Sequence, residues 1–90
     1  MIVENVRLII NEKMKDAFDS HDFIKEFIWS YPSDYGKILE HFNNVALAHA
    51  QISKFLSDNA DVLHIKKTGE DGTDNIFGHD RKCAQWIKIK

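Results

Sequence analysis

Apolar side chains recur every three or four residues through the first two thirds of the chain, and then the pattern switches to alternation. Val3, Val6, Ile10 and Met14, with Ile9 beside them, form one stripe and predict a helix over about Val3 to Lys15. Asp16-Ala17-Phe18-Asp19-Ser20 interrupts it. Asp19 or Ser20 offers a side-chain oxygen to cap the next helix, and Ala17-Phe18 reads as a brief strand. Phe23, Ile24, Phe27 and Ile28 then share a face and predict a helix from about His21 to Ser30. The only proline, Pro32, marks a break between helices. Ser33 is the expected cap of a short helix through Phe42, with Tyr35, Ile38, Leu39 and Phe42 inward. Gly36 weakens that helix by up to about 1 kcal/mol relative to alanine. Asn43-Asn44 opens a stronger helix, in which Val45, Ala48, His49, Ile52, Phe55, Leu56 and Asn59 trace the 3.6-residue period. Ser57-Asp58-Asn59 is expected to end it.

At Val62 the chemistry changes. Leu63-His64-Ile65-Lys66-Lys67-Thr68 alternates apolar and polar residues, as a half-buried strand does. Gly69-Glu70-Asp71-Gly72-Thr73-Asp74 reads as turn material, Asn75-Ile76-Phe77-Gly78 as a short apolar island, and His79-Asp80-Arg81-Lys82 as a second turn. Cys83 to Ile89 reads as a closing strand. About fourteen residues separate the two strands, too many for a tight hairpin and enough to carry function or hidden structure. The expected class is therefore α+β: three to four helices followed by a C-terminal β-hairpin, in a single domain spanning residues 1–90.

Composition fits that reading. A hydrophobic fraction of 43% with 29% charged residues suits a globular domain rather than a disordered one, and six Phe supply large units of buried area. A chain this short buries only about 60–65% of its unfolded surface, so its stability margin is thin. Cys83 is alone, which excludes an intrachain disulfide and a thiolate zinc framework. The N-terminal residues lack a basic segment followed by an apolar run, and no stretch approaches the length of a membrane span. A cytoplasmic setting and no membrane partner are expected.

Charge is polarised. Residues 1–44 carry five Lys/Arg against eight Asp/Glu, and residues 45–90 carry seven against six. A nucleic-acid contact would therefore come from the second half, without the basic footprint of a strong binder. Catalytic signatures are missing: there is no Gly-rich phosphate loop, nucleophile elbow or spaced Ser/His/Asp set, and no enzyme activity is expected. The five histidines show no pair at zinc-ligand spacing, so no metal or other cofactor is expected, and His49 falls on an apolar stripe where a core or boundary histidine belongs. His79-Asp80 lies close to Cys83, but adjacent polar residues in a turn account for that more simply than a nucleophile and base.

The order helix, short strand, helices, then two strands resembles the winged helix-turn-helix superfamily, from about Val3 to Ile89. The likeness is one of element order and pattern, and carries no specific motif. It implies that Val45–Asn59 is the recognition helix, that Leu63–Thr68 and Cys83–Ile89 are the wing, and that Ala17-Phe18 joins the wing as a third strand. The helix at Ser33–Phe42 departs from the simplest pattern by lengthening the turn before the recognition helix. On that mapping Gln51 pairs with adenine, Ser53 reaches a base or phosphate, and Lys54, Lys66, Lys67, Arg81 and Lys82 meet phosphates. Glu70, Asp71 and Asp74 oppose such contacts. The expected function is duplex-DNA binding as a small transcriptional regulator acting as a homodimer, because one short module offers little interface. The alternative is a protein-interaction module on the same scaffold, using Trp29, Tyr31, Leu47 and the Ile76-Phe77 island.

Overall fold

The computed structural model describes residues 1–89 and is α+β: five helices and a three-stranded antiparallel sheet of order β1-β3-β2. Helix α1 (Val3–Lys13) buries Val6, Ile9 and Ile10, with Glu4 in its first turn and Lys13 in its last, each at the favourable end of the helix dipole. It stops two residues short of the expected Lys15. The reason lies at the far end of the chain: the Lys88 ammonium donates to the Met14 carbonyl at 2.6 Å and the Lys88 backbone N–H donates to the Asp16 carbonyl at 2.8 Å, holding that segment extended.

Strand β1 (Ala17–Asp19) leads directly into α2 (Ser20–Ser30). Asp19 caps α2 reciprocally: its Oδ1 accepts from the Asp22 N–H at 2.7 Å, and its own N–H donates to Asp22 Oδ2 at 3.2 Å. Phe23, Ile24 and Phe27 are buried, and the Phe23 and Phe27 rings stack with centroids 6.1 Å apart. Helix α3 (Pro32–Phe42) begins at the proline itself, so Ser33 is not its cap. Pro32 occupies the first turn, where a missing N–H costs nothing and its fixed φ suits the helix. Asn43 turns into the left-handed region at φ 50°, and Asn44 caps α4 (Val45–Asp58) by accepting from the Leu47 N–H at 2.9 Å. Ala48, Ile52 and Leu56 are the buried stripe of α4, whereas Val45 at its start is exposed.

The second half departs further from expectation. A short helix, α5 (Ala60–Leu63), follows α4, and His64 at φ 56° reverses the chain into β2 (Ile65–Asp74). Leu63 and Ile65 are both buried around exposed His64, so a helix end plus a left-handed residue imitates the alternation of a strand. The supposed turn from Gly69 to Asp74 is the outer half of β2, and His79-Asp80-Arg81-Lys82 leads into β3 (Asp80–Lys88). Asp74 pairs with Asp80, so the strands form a tight hairpin after all. Asn75 organises the connection: its side-chain oxygen accepts from the Phe77 and His79 N–H groups at 2.9 and 3.1 Å, and Gly78 takes φ 74°. An extra residue between Lys67 and Gly69 makes a bulge, beside which the Thr68 hydroxyl donates to the Gln85 carbonyl at 3.3 Å.

Strand β3 is central. Phe18 pairs with Trp86 on one side, and Lys67 pairs with Trp86 on the other. Trp86 is buried, and its indole N–H donates to the Ser20 hydroxyl at 3.1 Å, fastening the sheet to the start of α2. The core joins α1, α2 and α4 to the sheet through Ile10, Phe23, Phe27, Ile52, Leu56, Ile65 and Trp86. Among the described residues no helix is long and apolar enough to cross a membrane.

Candidate functional site

A cleft of about 460 Å³ runs between α4 and the hairpin, floored by Ile24, Trp86 and Ala84. Helix α4 contributes His49, Ser53, Lys54 and Ser57 to one wall, because these positions flank its buried Ala48–Ile52–Leu56 stripe. The hairpin contributes Lys67, Glu70, Lys82 and Cys83 to the other. Four of the residues picked out from sequence, Ser53, Lys54, Lys67 and Lys82, thus meet in one place.

The other three do not join them. Gln51 lines a separate hollow of about 380 Å³ with Phe55, Ile38 and Phe42. The separation is helical: Gln51 and Ser53 stand two positions apart, about 200° around α4. Lys66 pairs with Ile87, next to the Lys67–Trp86 pair, and the strand's alternation turns it to the opposite face of the sheet. Arg81 is exposed outside the cleft, and its guanidinium donates to the Asp80 carbonyl at 2.8 Å. The expected set of seven therefore reduces to a cluster of four.

Two of the cleft lysines are held by neighbours on their own elements. The Lys54 ammonium lies 2.8 Å from Asp58, and that of Lys67 lies 3.1 Å from Glu70. Exposed pairs of this kind contribute only about 0–1 kcal/mol, so an incoming anion can exchange for either carboxylate. Lys82 has no ion pair among the described residues.

A second group of polar side chains adjoins the cleft where α2 meets the hairpin. His21 Nδ1 and the Thr73 hydroxyl are 2.8 Å apart, and the same hydroxyl is 3.4 Å from Cys83 Sγ. One ligand atom each from Asp19, His21 and Cys83 lie within 4.8 Å of one another. The histidine beside Cys83 is thus His21, not the sequence neighbour His79, which sits in the hairpin connection with its ring 6.4 Å from that of Phe77. Spacing along the chain could not show this. The signal is the β1–β3 register, Asp19 against Gln85, which carries the start of α2 to the middle of β3.

His49 is half-buried and hydrogen-bonded through Nε2 to the Tyr35 hydroxyl at 2.7 Å. Burial, and secondarily the charge on nearby His21, lowers its pKa below the usual histidine value, while burial raises that of Tyr35. His49 is therefore neutral at pH 7, and the expectation of a boundary histidine describes it correctly. The cleft's positive charge comes from lysine.

Comparison of the chain with protein-family models, with curated proteins and with solved structures finds no match.

Proposed function

We propose that this is a winged-helix domain that binds duplex DNA, with the outer face of α4 directed at the major groove and the hairpin lying along the adjacent phosphate backbone. The observation that carries the reading is the convergence of Ser53 and Lys54 from α4 with Lys67 and Lys82 from the hairpin on a single cleft. A recognition helix flanked by a β-ribbon presents its cations in this way, one set from each wall, so that a phosphate strand can be gripped from both sides. The element order supports the same reading, since β1 pairs with β3 and ties the hairpin root to the helical body.

Charge sets the expected strength. Three lysines in the cleft, with Glu70 among them and a net charge of −2 overall, suit weak, strongly salt-dependent binding by one module, and tight binding only as a dimer. Fluorescence anisotropy with mixed-sequence duplex DNA across a salt series tests this. Three phosphate contacts give a log–log salt slope on the order of −2.7. The double change Lys67→Glu with Lys82→Glu should abolish binding while leaving the far-UV circular dichroism intact. Absence of binding at low salt by the folded protein refutes the proposal.

A second reading, docking of another protein, draws on Trp29, which is 84% exposed near the end of α2, and on Leu47, 56% exposed at the start of α4. Trp29→Ala would then eliminate a partner interaction while leaving the anisotropy titration unchanged.

A further inference from the structure

Three chemically different donors converge where β1, α2 and β3 meet: a carboxylate, an imidazole and a thiol. Asp19 is only 6% exposed, and its Oδ1 caps α2. His21 stands two residues along, in the first turn of α2, and Cys83 faces it from β3, with the Thr73 hydroxyl touching both. Their ligand atoms lie within 4.8 Å of one another. Ligands at about 2.0–2.3 Å from a tetrahedral ion stand roughly 3.5 Å apart, so side-chain rotations closing about 1 Å would bring all three into a first coordination sphere. The backbone beneath them is fixed by the β1–β3 pairing and by the α2 cap, which gives the set a rigid base.

We propose that Asp19, His21 and Cys83 form a binding site for a zinc-class divalent metal ion. The donor set selects the ion. Thiolate with imidazole favours borderline transition metals over magnesium or calcium, which take oxygen ligands throughout, and one carboxylate beside them is common in zinc sites. On binding, Cys83 gives up its thiol proton to solvent, and His21 exchanges its contact with Thr73 for the metal. The adjoining cleft leaves a fourth position for water. Metal would join the first turn of α2 to the middle of β3, fixing the hairpin's angle near Lys82.

The test uses the whole purified chain, kept reduced, titrated with Co²⁺ in the absence of DNA, so its outcome is independent of the DNA reading. A thiolate-to-cobalt charge-transfer band saturating at one ion per chain, and bleached by Zn²⁺, is the expected result. Cys83→Ser removes the band. His21→Gln keeps a hydrogen-bonding partner for Thr73, Asp19→Asn keeps a capping oxygen, and each should weaken binding at least about tenfold with the fold preserved. No band at saturating Co²⁺, or variants at His21 and Asp19 that titrate like the parent, would overturn the site and leave only an ordinary thiol. A second readout needs no substitution: Zn²⁺ should shift the ring resonances of His21 ahead of those of His41, His64 and His79. Equal shifts in all would also overturn it.

Discussion

The bond between Trp86 and Ser20 allows a quantitative test of how the sheet is fastened to the helices. Both residues are buried, and the indole N–H donates to the hydroxyl at 3.1 Å. Trp86→Phe removes the donor and leaves the Ser20 hydroxyl unpaired in the core, a penalty of about 1–3 kcal/mol, with roughly a further 1 kcal/mol from the smaller ring. Ser20→Ala leaves the indole N–H unpaired, again at about 1–3 kcal/mol. The double variant orphans neither group. Its cost should therefore fall short of the sum of the single costs by about 1–2 kcal/mol, within the range measured for contacting pairs. Urea unfolding of the four proteins measures this cycle, and thermal melts provide a check, since 1 kcal/mol moves the midpoint by about 4–8 °C in a domain of this size. Trp29 complicates fluorescence detection because it is 84% exposed, but Trp29→Phe in the background leaves Trp86 as the reporter for every member that retains it. Circular dichroism follows the other two. A coupling under about 0.5 kcal/mol would mean that the bond is not made in solution or that water replaces it, and the reasoning would fail.

Further expectations concern capping, pH and the cleft. Asn44→Ala removes the side-chain acceptor at the start of α4 and should lower stability by about 1 kcal/mol in urea melts. The lowered pKa of His49 means that the unfolded chain binds a proton more readily than the folded one. Stability should therefore fall as pH drops through the unfolded value of about 6.5, and His49→Gln should flatten that part of the profile. Lys66→Glu should weaken DNA binding less than Lys67→Glu at equal salt, because Lys66 pairs with Ile87 and points away from the cleft; equal losses would show that the cleft does not define the interface. Phe77, 58% exposed in the hairpin connection, should tolerate alanine within about 0.5 kcal/mol of the parent stability.

Helices α1, α2 and α4 were legible because each has a buried stripe at helical spacing, whereas α3 buries only Tyr35 and the end of α5 reads as the start of a strand. Val6, Ile9 and Ile10 in α1, Phe23, Ile24 and Phe27 in α2, and Ala48, Ile52 and Leu56 in α4 were all readable as inward positions. The Asp19 cap and the short strand before it were legible too, through the chemistry of a carboxylate preceding an apolar run. The closing strand was legible too, since Cys83 to Lys88 lies within β3, but the outer half of the hairpin was not. Between Lys66 and Asp74 every side chain of β2 except Thr73 is exposed, so no alternation records the strand, and glycine with aspartate reads as turn material. Backbone pairing with β3 sets those residues in place, and pairing leaves no mark in the hydrophobic pattern. The same cause hid the Asp19–His21–Cys83 cluster, which exists only once the register of β1 on β3 is known. The lysines of the cleft were identifiable as cations, but their division between the two faces of the sheet needed the bulge and the register.

The central place of β3 sets an order for assembly. Helices α1 to α4 can form from neighbours in sequence, whereas Ala17 finds Ile87 only after a loop of about seventy residues has closed around them. Such a distant pairing is entropically late, and contacts of this separation slow folding relative to a purely helical bundle of equal size. The hairpin itself is local and can zip from Asn75 outward, delivering β3 with one edge already satisfied and the other open. The last act of folding is then the capture of three residues, Ala17 to Asp19, by that open edge, and with it the burial of Trp86 over Ser20.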